Sequence, residues 1–286
     1  MWRLLLVFAC LLLPIGCTDD SERMEADASN LIVEGWIEDG GFPVVILSRS
    51  LPVSTDYQDI DSLSDYIVRW AKVTISDGND SVVLTGKYDK GYFPPYIYTT
   101  SRIRGEAGKT YNLTVEYRDM RATAKTTVPA IPDNCSFRVE RCIDSDTLFQ
   151  IRSLFKDNPI EKNFYQFFTR VGTNTKQYQA SYLGSIDDEV LKGETVMTVY
   201  RGHQLRDKDY TPYFLTDDTV SVKFSQVDDV SFRIWDSYTK MQSLSSNMFL
   251  STSSDIVSNI IGGYGYWCGY GTITAYIVIQ DSISLK

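Results

Sequence analysis

Tyr111-Asn112-Leu113-Thr114-Val115-Glu116-Tyr117 decides the fold class. Leu113 and Val115 fall on one face of an extended chain, and Asn112, Thr114 and Glu116 on the other. That period of two predicts a half-buried strand. The chain turns at Arg118 to Arg121 and returns through Ala122 to Val128, which completes a predicted hairpin. Upstream, Leu31 to Ile37 and Val44 to Leu47 are β-rich runs separated by the turn residues Asp39-Gly40-Gly41. Ala71 to Ser76 alternates in the same way and breaks at Asp77-Gly78-Asn79-Asp80, and Ser81 to Thr85 resumes the strand. Short, evenly spaced strands with no helical period predict an immunoglobulin-like β-sandwich over residues 31–130.

Pro129-Ala130-Ile131-Pro132 interrupts the pattern, because two prolines remove ladder donors and favour an extended connection. A domain boundary is expected there, with a second β-rich domain over residues 131–286. Its strand candidates are Thr147 to Ser153, Phe164 to Val171, Gln177 to Leu183, Thr195 to Tyr200, Val220 to Phe224 and Thr272 to Gln280. One amphipathic helix is expected near residues 230–248. Phe232, Trp235, Tyr238, Met241 and Leu244 recur every three residues, after Asp228 and Asp229 as capping residues. That stripe reads as core packing.

The chain has 286 residues and a net charge of −9. An acidic chain is poorly suited to nucleic acid or to a bare anionic membrane, both of which select basic patches. His203 is the single histidine, and no nucleophile-elbow pattern accompanies a serine, so neither a serine nor a cysteine triad is marked out. Among 37 acidic residues no carboxylate pair is marked for glycoside hydrolysis. Asp77 to Asp80 and the series Asp56, Asp59, Asp61 and Asp65 offer oxygen ligands but lack the spacing of a calcium loop. The first of these reads as a hairpin turn. No cofactor is expected and no metal site, since scattered cysteines with one histidine provide no ligand spacing. Cys135 and Cys142 are spaced to close a short loop as a disulfide, and isolated buried thiols are the other reading.

The richest local composition is Asn259 to Gly271, where five glycines are interleaved with Tyr264, Tyr266, Trp267 and Tyr270. Glycine allows close backbone approach, and the rings offer flat faces. Two readings stand: rings that plug the core ahead of the last strand, or a contact surface for a ligand or partner.

The N-terminus opens with Arg3 and the ten-residue apolar run Leu4 to Leu13, too short to span a bilayer at about 20 residues. Pro14-Ile15-Gly16-Cys17 then resembles a bacterial lipobox. The expectation is a signal peptide over residues 1–16 and lipidation of Cys17, which would supply the membrane anchor. Residues 17–30 follow as an acidic tether; the thirteen residues after Cys17, fully extended, reach at most about 45 Å. Asp19 and Asp20 resemble the export signal of surface lipoproteins in Bacteroidota.

Several segments together resemble one family. They are the lipobox and tether, Leu31 to Ile37, Val45 to Pro52, Ala71 to Gly78, Gly91 to Phe93, Gly108 to Val115 and Ser258 to Gly263. The chain resembles the Bacteroidota outer-membrane lipoproteins catalogued as domain of unknown function 4249. The resemblance implies a non-catalytic lipoprotein anchored in the outer membrane and facing the cell exterior. It also implies a TonB-dependent transporter as partner, for which the protein would capture a nutrient or cover the transporter's mouth. The family carries over no catalytic residue. The alternative is a stand-alone glycan-binding or adhesive surface protein.

Overall fold

A computed structural model of the chain describes residues 30–50, 64–133, 135–143, 145–158, 160–191, 193–203, 210–245 and 257–280. Cys17, the tether up to residue 29 and the acidic positions Asp56, Asp59 and Asp61 lie outside these residues. The fold is mainly β. Its first half contributes β1 (Leu31–Glu38), β2 (Val44–Arg49), β3 (Lys72–Ser76), β4 (Ser81–Val83), β5 (Thr85–Tyr88), β6 (Tyr96–Thr99), β7 (Thr110–Tyr117) and β8 (Met120–Thr127). The second half contributes β9 (Cys135–Arg141), β10 (Leu148–Lys156), β11 (Phe164–Val171), β12 (Gln179–Asp187), β13 (Glu194–Val199), β14 (Phe214–Leu215) and β15 (Thr219–Val227). Helix α1 (Asp229–Ser245) and β16 (Tyr264–Val278) close the chain.

An eight-stranded sheet in the order β12-β11-β15-β16-β1-β2-β6-β5 runs through the whole molecule. Strand β16 makes this continuity possible. Its first half pairs in parallel with β1, from Ile32 opposite Tyr264 to Glu38 opposite Tyr270. Its second half pairs antiparallel with β15, from Gln226 opposite Gly271 to Thr219 opposite Val278. The expected boundary at residues 130 and 131 falls in a connection, and the long sheet continues across it.

Two smaller sheets cover one face of the long sheet. The sheet β4-β3-β7-β8 closes over β1, β2 and the first half of β16. Leu31, Val33, Ile37, Val45 and Leu47 meet Val73, Ile75, Leu113 and Val115 there, with Trp267 fully buried among them. Two sheets face each other here, and the larger one is completed by the C-terminal strand and continues into the second half of the chain. The second sheet, β13-β10-β14 with β9 beside β10, covers the second half of β16 together with β11 and β15. Phe149, Ile151 and Phe155 pack there on Tyr165, Phe167, Val220, Val222 and Phe224. The opposite face of the long sheet carries α1. Phe164, Phe168, Val227, Ile234, Trp235, Cys268 and Tyr270 form the apolar contact under it.

Local chemistry accounts for the element ends. Asp228 accepts the Ser231 backbone N–H at 2.7 Å on its carboxylate and the Phe232 N–H at 2.9 Å on its carbonyl, which starts α1 as expected. Phe232, Trp235 and Tyr238 face the sheet, whereas the Leu244 side chain lies outside the description. Asp77 accepts the Asn79 and Asp80 N–H groups at 3.0 and 2.8 Å, so this segment is the turn between β3 and β4. The backbone N–H groups of Asp80 and Asn79 also hold its carboxyl below the usual range. Among the described residues no helix is long and apolar enough to cross a membrane.

Candidate binding cleft

Because successive side chains of a strand point to opposite faces, the even-numbered residues of β1 lie on the α1 side of the long sheet. Trp36 and Glu38 there look into a cleft of about 370 Å³. From β16, Tyr266 and Tyr270 enter the same space; Phe168 on β11 and Lys223 on β15 continue the sheet face, and Trp235 comes from α1. The floor is aromatic and tightly joined. The Phe168 ring lies 5.2 Å from both Trp235 and Tyr270, Trp235 lies 5.0 Å from Tyr266, and the Trp235 indole N–H donates to the Tyr270 hydroxyl at 3.0 Å. Trp36 and Tyr92, 6.2 Å apart, form an aromatic corner in the wall.

The rim joins the two halves of the chain. Lys176 N–H donates to the Gly91 carbonyl at 2.7 Å, the Thr175 hydroxyl donates to the same carbonyl at 3.0 Å, and the Phe93 N–H donates to Gln177 Oε1 at 3.0 Å. The Lys176 ammonium also donates to Asp89 at 2.9 Å. The loop after β5 and the loop after β11 are thereby fastened to each other.

Charges in the cleft are arranged in two groups. Deep in it, Lys223 forms an ion pair with Glu38, both largely buried, and its ammonium lies 4.2 Å from the centroid of the Tyr178 ring. At the rim, Asp89 serves two lysines, Lys176 at 2.9 Å and Lys87 at 3.9 Å. The Lys176 ammonium holds the Asp89 carboxyl below its usual range. Burial raises the phenols of Tyr92 and Tyr178, and those of Tyr266 and Tyr270 much further. All four therefore remain neutral hydrogen-bonding groups over the physiological range. On the same sheet face, beyond Tyr266, burial pushes the half-buried Glu34 carboxyl up to about 7. This arrangement can stack a flat group, donate hydrogen bonds and hold charge.

From Tyr264 onward the glycine and aromatic segment is itself the first half of the last strand, β16, and does not lie ahead of it. Tyr266 and Tyr270 line the cleft, while Trp267 points the other way into the core and its indole N–H donates to the Tyr111 carbonyl at 3.0 Å. Tyr264 is 56% exposed at the start of the strand and does not line the cleft. Trp267 is thus a core ring, whereas Tyr266 and Tyr270 are cleft-lining rings. The glycines mark where β8 and its exit cross over the strand: a Cβ at Gly269 would stand 2.7 Å from the Thr127 carbonyl oxygen, and one at Gly271 2.2 Å from that of Ala130.

The Cys135–Cys142 disulfide is corrected. Both thiols are free, with Cys135 opening β9 and Cys142 just past its end. Seven residues of strand separate them by about 20 Å, where a disulfide tolerates a Cα separation below about 7 Å. Burial pushes the Cys135 and Cys268 thiols up to about 12. His203 stacks edge-on against Tyr210 at 4.8 Å, away from the cleft lining. Among the described residues no group of three or more His, Cys, Asp and Glu side chains is placed to hold a metal ion.

Sequence reasoning missed Trp36, Glu38, Asp89, Tyr178 and Lys223. The usable signal lay in the alternation of β1, whose polar-side positions carry an indole and a carboxylate. No curated protein matches the chain. The family model described as domain of unknown function DUF4249 matches residues 19–274, and the chain belongs to that family.

Proposed function

We propose that the protein is a non-catalytic, lipid-anchored protein of the outer-membrane surface that captures a small ligand for a TonB-dependent transporter. The observation that carries the capture role is the aromatic cleft, built where both halves of the chain meet. The lipobox-like run ending at Cys17 and the acidic tether support the anchor and its address. A preformed concave site with a few placed polar groups suits ligand binding. The alternative, a stand-alone surface protein that binds glycans, draws on the same rings and differs in having no transporter partner.

The anchor and the address are tested together. Metabolic labelling with a fatty-acid analogue is expected to mark the wild-type chain and to miss Cys17→Ser. Protease added to intact cells is expected to remove the wild-type chain. Fractionation with the inner membrane, or protection in intact cells with digestion only after the outer membrane is opened, would overturn the reading.

A further inference from the structure

We infer that the cleft binds a small organic anion with a flat apolar face, its body on the aromatic floor and its charged end at the lysine rim. This rests on the cleft being the capture site proposed above, and it names the chemistry captured.

The floor sets the body of the ligand. Phe168, Trp235 and Tyr270 are each at most 8% exposed and back the floor, while the half-buried rings of Tyr178 and Tyr266 present the apolar surface that a flat face can cover and dry. The half-buried corner of Trp36 and Tyr92 stands beside that floor. A volume of about 370 Å³ falls in the range of roughly 300–1,000 Å³ typical of small-molecule sites. A sugar ring with one apolar face fits these requirements, and so does an aromatic ring.

The rim sets the charge. The lining holds three lysines, Lys87, Lys176 and Lys223, against two carboxylates, Glu38 and Asp89. Lys223 and Glu38 satisfy each other at depth. At the rim two half-exposed lysines share the one carboxylate of Asp89, which leaves the lining with one positive charge in excess. In a chain of net charge −9, a locally cationic rim selects and steers anions. Carboxylated sugars and aromatic acids share this chemistry.

The test is isothermal titration of the purified full chain in detergent with two acids, digalacturonate and 4-hydroxyphenylacetate. Each is compared with its neutral counterpart, the galactose disaccharide and 4-hydroxyphenylethanol. At least one acid is expected to bind about tenfold or more tightly than its neutral partner, and to weaken as salt rises. Lys87→Met should weaken that acid about fivefold and leave the neutral partner unchanged, since the charge lies near the surface. Lys72→Met, at an exposed lysine elsewhere, should change neither. Which acid binds separates sugar from aromatic acid. Equal binding of acid and neutral partner, or no effect of Lys87→Met, would overturn the inference. Absence of binding by all four, with a transporter still recovered alongside the chain, would overturn the inference and leave the proposed function standing. Selective acid binding by a chain that proves not to be at the surface would do the reverse.

Discussion

Tyr266 and Trp267 are neighbours in the chain and serve opposite faces of one sheet. Trp267 is fully enclosed between the long sheet and its smaller partner, and donates its indole N–H to a β7 carbonyl. Tyr266 faces α1 and the cleft, half-buried beside Trp235. The contrast extends along the whole strand: among the described residues, one face is closed by two further sheets, while the other is covered in part by α1 and leaves the cleft. Stability is concentrated on the first face, and the second is where chemistry can be placed without opening a core. A composition rich in rings and glycine therefore carries two meanings at once, which the period of two separates.

The largest effect should come from the closed face. Trp267→Ala is expected to cost about 3–5 kcal/mol, because it leaves a cavity and removes the indole hydrogen bond to the Tyr111 carbonyl. Chemical denaturation would measure it, and a loss as small as that of Tyr266→Ala would break the contrast between the faces. Next comes the deep ion pair of the cleft face. Glu38→Ala should cost about 1–3 kcal/mol by leaving the Lys223 ammonium without its carboxylate. The double variant Glu38→Ala with Lys223→Met should recover much of that loss, because removing both charges removes the penalty. A double variant no more stable than the single one would show that the pair is not what positions this face.

The helix that partly covers the cleft face offers a smaller test. Asp228→Ala removes the acceptor for the Ser231 N–H and should cost about 1 kcal/mol, read from thermal unfolding. An unchanged midpoint would mean that α1 is held by its packing alone.

The last test concerns sign. Burial raises the Glu34 carboxyl from 4.5 to about 7, so the folded chain holds that proton more tightly than the unfolded one. Its contribution to stability is therefore fully present below about pH 4.5, declines as pH rises through about 7, and is flat above that. Solvent reaching the half-buried residue damps the size of the effect. Glu34→Gln should remove this decline from a series of melting temperatures against pH, and an identical series in both proteins would contradict it.

Much of the fold was legible because strands announce themselves locally. The alternation at Tyr111 to Tyr117 is β7, the run Phe164 to Val171 is β11, and Asp228 begins a helix whose aromatic stripe meets the sheet. The run Ser81 to Thr85 looked like one strand, yet the chain changes sheets at Leu84, whose N–H donates to the Val73 carbonyl at 2.8 Å. A switch confined to one residue leaves no mark on a period-two pattern. Tyr96 to Thr99 was hidden by Pro94 and Pro95 before it. Cys135 to Arg141, which is β9, is absent from the strand candidates because Arg138, Glu140 and Arg141 break up its apolar positions. The cleft was the least legible part. Glu38 meets Lys223 across 185 residues and Asp89 meets Lys176 across 87, separations at which no window of sequence carries a signal.

The central claim is that the open face serves a transporter. Affinity purification of a C-terminally tagged full chain from detergent-solubilised outer membranes, with mass spectrometry of the co-purifying proteins, tests it most directly. The expected result is a TonB-dependent transporter in near-stoichiometric amount. A lipoprotein recovered alone from the surface in good yield would contradict the account and favour stand-alone binding.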